Sequence, residues 1–113
     1  MSVNIAYGRI AAVRPANTNE QDLYALGAGE EFIGRIIICN QDSTARTYNI
    51  AVTDTGTGVA ASGEDWIEYG TEIPANTAFE KRVEVAATGT IRIQASIADL
   101  LSFALMGMIK TTT

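Results

Sequence analysis

The sequence has no histidine and a single cysteine among its 113 residues. Without histidine, the chain offers no imidazole for a catalytic triad, for general base catalysis or for a metal site. With Cys39 alone, it can form neither an internal disulfide nor a cluster of thiolate zinc ligands. These shortages exclude many enzyme classes. We expect a protein that is not an enzyme, with no catalytic residue, no cofactor and no metal site.

Positive charge and long hydrophobic runs are also scarce. The chain has 8 Lys and Arg against 13 Asp and Glu, for a net charge of −5, so nothing marks it as a nucleic-acid binder. The longest apolar run, Leu100–Ile109, is too short to span a bilayer and contains Ser102 and Gly107. The first residues lack the basic stretch and apolar run of a secretory signal. We therefore expect neither a nucleic-acid nor a membrane partner.

What the sequence does contain is the composition of a small globular domain. Apolar residues make up 47% of the chain and charged residues 19%, whereas disordered chains are poor in the former and rich in the latter. The length allows one domain, over residues 16–113, preceded by an N-terminal strand or arm over residues 1–15.

Alternation of apolar and polar residues predicts strands along most of the chain. In Thr90–Ile97, the isoleucines at 91, 93 and 97 alternate with Arg92, Gln94 and Ser96, so one set is expected in the core and the other in solvent. The consecutive Ile36, Ile37 and Ile38 suit a strand buried on both faces. Cys39, at the end of that run, is interpreted as a small buried hydrophobic residue.

Strand signals recur about every 10–15 residues between turn signals, and no long helical pattern separates them. A helix competes only over Asp99–Met106, and we favour a strand there. The predicted fold is all-β: a single antiparallel β-sandwich or jelly-roll-like domain of seven or eight strands. The expected strands are Val3–Tyr7 and Arg9–Val13 (which a single bent strand would unite), Asp22–Leu26, Phe32–Cys39, Arg46–Thr53, Trp66–Ile73, Phe79–Ala86, Thr90–Ile97 and Ser102–Ile109.

Two groups of residues are candidates for partner contacts. The N-terminal segment carries Ile5, Tyr7, Ile10 and Val13, which are unusually apolar for a chain end and would suit an arm that reaches a neighbouring subunit. Trp66 and Tyr69 are aromatic residues of the kind that anchor interfaces. Three positions apart on a strand, they should face opposite sides, with Trp66 in the core.

Two local patterns suggest other chemistry. Asp54-Thr55-Gly56-Thr57 resembles the loop of aspartic proteases, in which two carboxylates share a proton, but the same residues are the usual ones in a turn after a strand. The acidic residues of this region could offer oxygen ligands to Ca²⁺, but without the spacing of an EF-hand; they are Asp54, Glu64, Asp65, Glu68 and Glu72. We interpret both patterns as a turn and a solvated acidic face.

Several short sequence segments (here called the phage-like phrases), taken together, resemble a group of small proteins encoded among the structural genes of tailed bacteriophages. They are Asp22–Tyr24, Ile36–Asn40, Ile73–Thr77, Gly89–Ser96 and Phe103–Gly107, within a similarity spanning about residues 20–109. The chain departs from that group at Ala25–Gly29, where a Pro-Ala turn is frequent, and at Gly107–Lys110.

The resemblance implies a β-sandwich component of the virion without enzymatic activity, and it carries over no site residues. The first hypothesis is a capsid decoration (cement) protein that bridges subunits of the major capsid protein as a homo-oligomer on the capsid surface. The alternatives are a protein of the tail, baseplate or fibre, a carbohydrate-binding sandwich acting through Trp66 and Tyr69, and a dimeric aspartic protease.

Overall fold

The computed structural model describes residues 2–54, 56 and 58–113 of the chain. Within those residues it forms eight strands, and none of the described segments is a helix that could cross a membrane. The strands are β1 (Val3–Val13), β2 (Gln21–Ala25), β3 (Glu30–Asn40), β4 (Arg46–Thr53), β5 (Trp66–Ile73), β6 (Ala78–Val85), β7 (Thr90–Ala95) and β8 (Leu101–Thr112).

The eight strands form two antiparallel four-stranded sheets. One has the order β1-β8-β3-β6 and is called the long sheet, because three of its strands have 11 or 12 residues. The other has the order β2-β7-β4-β5 and is called the short sheet, with strands of 5 to 8 residues. This arrangement of eight strands in two facing sheets is that of a jelly roll. The predicted fold class is confirmed.

The core lies between the two sheets and is built from the apolar side chains that alternate along each strand. Phe32, Ile36 and Ile38 of β3 lie opposite Ile109, Leu105 and Phe103 of β8, and this set points inward. The short sheet contributes its own inward set: Tyr48 and Ile50 of β4, and Ile91, Ile93 and Ala95 of β7. Burial of these side chains is the main favourable term in folding.

The N-terminal segment is one strand of the long sheet. β1 pairs with β8 from Val3 opposite Thr112 to Val13 opposite Phe103, with a β-bulge at Ile10. Beyond the strand, the backbones of Ser2 and Thr113 exchange two hydrogen bonds of 3.0 and 2.9 Å. The two predicted N-terminal strands are thus the single bent strand that the sequence allowed, and the bulge supplies the bend.

The segment for which a helix competed is a strand. β8 pairs with β1 on one side and with β3 on the other along nearly its whole length. Asp99, considered as a helix cap, has a φ of 62° and donates its backbone N–H to the carbonyl of Pro15 over 2.8 Å. Pairing on both edges outweighs the helix propensity of the Ala, Leu and Met residues.

The prediction that the isoleucine run is buried on both faces is wrong. Ile36 and Ile38 have no exposed surface, whereas Ile37 and Cys39, which point the other way, are only partly buried. The reason is that the eight described strands form only two facing sheets, so no third layer of strands covers the outer face of the long sheet. Cys39 is therefore a partly buried residue rather than a fully buried one.

Three glycines lie side by side across the long sheet. Gly8 of β1, Gly107 of β8 and Gly34 of β3 occupy one row of the register. A Cβ on Gly34 would lie 2.2 Å from the carbonyl oxygen of Met106 and 2.7 Å from the ring of Phe32. Gly107 has a φ of 152°, which side chains disfavour. The lack of side chains at Gly34 and Gly107 leaves room for the ring of Phe32 beside the backbones of β3 and β8.

Candidate functional site

The outer face of the long sheet exposes an apolar patch. Tyr7, Met108 and Ile33 form one cross-strand row, with Tyr7 78% and Ile33 43% exposed. Val3 and Ile5 extend the patch along β1, at 54% and 46% exposed. Exposed apolar side chains grouped in this way mark interaction surfaces.

The next row of the same face is basic. Arg9, Met106, Arg35 and Arg82 follow one another across β1, β8, β3 and β6. Of the arginines, Arg35 is paired with Glu80, at 2.9 Å from Nε to a carboxylate oxygen. Arg35 lies directly opposite Arg82, and like charges opposite one another are unfavourable in a sheet, so this pair has a cost that a partner surface can offset.

Charge on this face opposes that of the chain as a whole. Its outward positions on the four strands carry four basic and three acidic side chains, a net charge of +1, whereas the chain carries −5. They are Arg9, Arg35, Arg82 and Lys110 against Glu31, Glu80 and Glu84. A shallow depression of about 460 Å³ lies at the basic row, lined by Ile33, Gly34, Arg35, Glu80 and Arg82. The negative charge lies mainly elsewhere on the molecule.

The structure separates the four N-terminal candidates into two pairs. Ile5 and Tyr7 point outward into the exposed patch. Ile10 and Val13 pack against the core of the chain itself. The bulge at Ile10 shifts the alternation of side chains along β1, so that Val13 lies opposite Phe103 on the inner face. The two pairs therefore have different surroundings, although they share one strand.

The second candidate surface is the outer face of the short sheet, where Trp66 and Tyr69 lie together. Their ring centroids are 5.4 Å apart in an edge-to-face arrangement, and Tyr69 is 72% exposed. The prediction of opposite faces, with Trp66 in the core, is wrong. Two register shifts between β4 and β5 add residues to β5, so three positions of sequence no longer reverse the face.

A chain of polar side chains crosses this face beside Tyr69. Gln94 donates from Nε2 to the carbonyl of Thr18 over 3.1 Å and accepts from Asn49 Nδ2 over 2.9 Å. Asn49 Oδ1 in turn accepts the backbone N–H of Gly70 over 2.6 Å. These bonds hold both amides in fixed orientations. A depression of about 380 Å³ lies over them, lined by Thr18, Thr47, Tyr48, Asn49, Tyr69, Gln94, Ala95 and Ser96.

Arg92, predicted to face solvent, is buried at the other end of the same face. Only 5% of its surface is exposed. Its Nε lies 2.5 Å from Glu20 Oε2, and its Nη1 bonds to Asp22 Oδ1. The two acidic partners also hold a loop in place. Glu20 accepts the backbone N–H of Ala61 and Asp22 accepts that of Gly58, each over 2.9 Å. Alternation alone did not identify this cluster. The signal in the sequence was the spacing of Glu20 and Asp22, because residues two positions apart in an extended chain point to the same side.

Local hydrogen bonds hold the turn from Ser62 to Asp65, within the acidic segment 54–72. Asp65 accepts bonds from the N–H and hydroxyl of Ser62 over 2.8 and 3.0 Å, as in a capped turn. Among the residues that the structure describes, no group of three or more acidic residues or cysteines is arranged to hold a metal ion. Thr55 and Thr57 of the protease-like phrase lie outside the described residues.

The Cys-Asn element of the phage-like phrases has a structural role. Asn40 is fully buried and donates from Nδ2 to three carbonyls, those of Thr44, Ile73 and Pro74, over 3.0 to 3.2 Å. Its Oδ1 accepts the N–H of Asp42 over 2.9 Å. The hydrogen bond from Arg46 lowers the pKa of the Asp42 carboxyl. Asn40 thus joins two turns at one end of the sandwich.

Comparison with known proteins gives no family. No protein-family model matches the sequence, and no curated protein matches it. Among solved structures, the chain is similar to one from the structure of infectious bursal disease virus, Gx strain, with 10% identity and a TM-score of 0.44 over 96% of this chain. It spans only 32% of that viral chain. It is also similar to the K3 cleaved adhesin domain of Lys-gingipain from Porphyromonas gingivalis W83, with 14% identity and a TM-score of 0.45 over 97% of this chain and 73% of that one. Both similarities are too distant to inform function.

Proposed function

We propose that the chain is a non-enzymatic structural protein of a phage virion, a capsid decoration protein that docks through the outer face of the long sheet. The observation that carries the proposal is the apolar row of Tyr7, Met108 and Ile33 beside the basic row at Arg35. A decoration protein bridges subunits by surface area and shape, and such a face supplies both without reactive groups.

The composition of this face sets the chemistry of its partner. Interfaces combine an apolar centre with a polar rim, and aromatic, Met and Arg residues are enriched in them. Tyr7, Met108 and Arg35 are of these types. Because the face has a net charge of +1 in an acidic chain, the partner surface on the major capsid protein should be apolar and acidic. Complementary charge speeds docking and fixes orientation.

The fold is compatible with this role by analogy. Jelly rolls occur in viral capsid proteins and in lectins alike, so the architecture does not choose between these functions. A sheet face that lies open on each copy also suits a symmetric array, in which copies of the chain occupy equivalent positions on the capsid lattice. The proposal thus includes a homo-oligomeric arrangement on the virion.

Labelling of particles tests the location. Virions from the source lysate are treated with gold-conjugated antibody against this chain and imaged. Label spread over the head supports decoration. Label confined to the tail or its tip supports a tail, baseplate or fibre protein instead, and intact virions without label contradict any virion role.

Variants test the docking face. Stripped particles are mixed with purified chain, and the bound fraction is measured by sedimentation. Tyr7→Asp and Ile33→Asp each place a charge in the apolar row and should reduce binding at least tenfold, as at interface hot spots. Tyr69→Asp, an exposed tyrosine on the other sheet, is the matched control and should bind normally. Equal binding by all three would contradict this choice of face.

A further inference from the structure

We infer that the outer face of the short sheet binds a neutral oligosaccharide, with Tyr69 as the ring on which a sugar stacks. This site lies on the sheet opposite the proposed docking face, so a docked protein would present it to the surroundings. The inference does not depend on the proposed docking, because it concerns different residues.

Tyr69 has the geometry of a stacking platform. Its side chain is 72% exposed, although it lies in a strand of a well-packed sheet. The ring of Trp66 contacts it edge-on at a centroid distance of 5.4 Å, which restricts its motion. An aromatic ring held by a second ring loses little entropy when a ligand covers it.

The backbone beneath the platform is also fixed. Gly70 lies within one of the register shifts of β5. It has a φ of 64° and donates its N–H to Asn49 Oδ1 over 2.6 Å. A left-handed residue and a short hydrogen bond at this point set the direction in which Tyr69 projects. Irregularities of this kind in a strand are over-represented at sheet edges and next to active sites.

The depression beside Tyr69 is lined by hydroxyl and amide groups. Asn49 and Gln94 each carry an amide nitrogen with two protons, one of which is used in the bonds described above. The second proton of each, and the hydroxyl of Thr47, are available to a ligand. Sugar hydroxyls both donate and accept, so they match a mixed set of amides and hydroxyls beside an aromatic ring.

Charge favours a neutral ligand. None of the eight residues that line this depression is charged. Four other surface depressions each include at least one charged side chain. The neighbouring segment 54–72 contains five acidic residues and no basic one, so it disfavours sialylated, sulfated or phosphorylated sugars. The volume of about 380 Å³ is within the range of small-molecule sites.

Binding can be read from Trp66, which is the only tryptophan of the chain and contacts the platform. The full-length protein is titrated with four neutral hexasaccharides, the β-1,4 glucan, the β-1,4 N-acetylglucosamine polymer, the β-1,4 mannan and the α-1,4 glucan. Fluorescence and calorimetry are recorded together. At least one of these sugars should shift the emission of Trp66 and give a saturable heat.

Three variants locate the site. Tyr69→Ala should weaken that binding at least tenfold, and Gln94→Ala should weaken it severalfold, since one hydrogen bond is lost. Tyr7→Ala, which removes an exposed tyrosine from the opposite sheet, is the matched control and should bind like the wild type. Circular dichroism confirms that each variant is folded.

The inference is overturned if none of the four sugars gives a saturable heat at millimolar concentration. It is also overturned if Tyr69→Ala binds normally, or if Tyr7→Ala abolishes binding, because the sugar then occupies another face. Variants that lose sugar binding should still attach to particles, and variants that lose attachment should still bind the sugar. The two proposals therefore fail separately.

Discussion

Arg92 and Glu20 lie 72 positions apart in the chain, yet their Nε and Oε2 atoms are 2.5 Å apart beneath the surface of the short sheet. Glu20 and Asp22 neutralise the buried guanidinium and also accept backbone N–H groups of Ala61 and Gly58. The ion pairs therefore attach the loop to the sheet.

Removing the buried charge should loosen both the fold and the loop. Arg92→Gln leaves two partly buried carboxylates without their counter-ion, so the free energy of unfolding should fall by about 3 kcal/mol. Urea denaturation measures this loss, and hydrogen exchange should speed up at the amides of Gly58 and Ala61. Arg82→Gln, in the exposed basic row, should change stability by less than about 0.5 kcal/mol. Equal midpoints for the two variants would show that the cluster gives no net stability.

The buried amide of Asn40 should be as sensitive as a core residue. Asn40→Ala deprives three carbonyls of their donor, and the expected loss is about 3 kcal/mol by thermal or urea unfolding. Asn17→Ala removes an exposed amide whose bond to the N–H of Asn19 is local, and it should cost less than about 1 kcal/mol. A loss at Asn40 no greater than that at Asn17 would contradict the assigned role.

Asn40→Asp adds a pH dependence to the same test. A carboxyl group at this position faces carbonyl oxygens, so its pKa in the folded state should exceed the unfolded value. Its protonated form is then preferred by the fold, and the stability of this variant relative to wild type should fall as pH rises above about 4. A difference that does not vary with pH would argue against burial of that group.

The glycine row predicts a strong effect from a single methyl group. Gly34→Ala brings a Cβ to 2.2 Å from the carbonyl oxygen of Met106, and β3 and β8 cannot both keep their register. We expect a loss of about 3 kcal/mol, at the upper end for an overpacked site. Gly63→Ala is the control, since nothing lies within 4 Å of its Cβ position, and it should be neutral or slightly stabilising. Denaturation midpoints compare the two directly.

The free energy of unfolding at alkaline pH should depend on the buried environment of Tyr48. Burial and, secondarily, the hydrogen bond to Glu68 over 3.0 Å raise the pKa of its phenol above the usual 10. The folded state therefore keeps a proton that the unfolded chain releases near pH 10. The contribution is complete below pH 10 and is lost as pH rises, at about 1.4 kcal/mol per pH unit until the folded-state pKa is reached.

Two variants separate this effect from general alkaline denaturation. Tyr48→Phe removes the titrating group, so the fall in stability above pH 10 should become shallower. A smaller slope should remain, because burial and Glu30 also raise the pKa of Tyr24. Glu68→Gln removes the carboxylate charge beside Tyr48, so the folded-state pKa should fall and the loss of stability should end at a lower pH. An unchanged slope in Tyr48→Phe would contradict the raised pKa.

Much of the fold follows from local patterns in the sequence. β4 and β5 begin and end at the predicted residues, and the other strands differ from their predicted bounds by a few positions. A period of two in hydrophobicity specifies a strand and its buried face wherever the register is regular, as at Ile91 and Ile93 of β7. The same residues predicted the all-β class and the two-sheet architecture.

Only the tertiary structure decided which side chains meet on the two outer faces. The register shifts that bring Trp66 to Tyr69, and the long-range pairing that buries Arg92 with Glu20, depend on strands distant in sequence. Likewise, Ile37 looks like its buried neighbours in the sequence, but its exposure depends on whether any segment covers the long sheet. Alternation of apolar and polar residues predicts which side chains share one face of a strand. What lies on that side is set by packing between segments, because that is where the free energy of burial is gained.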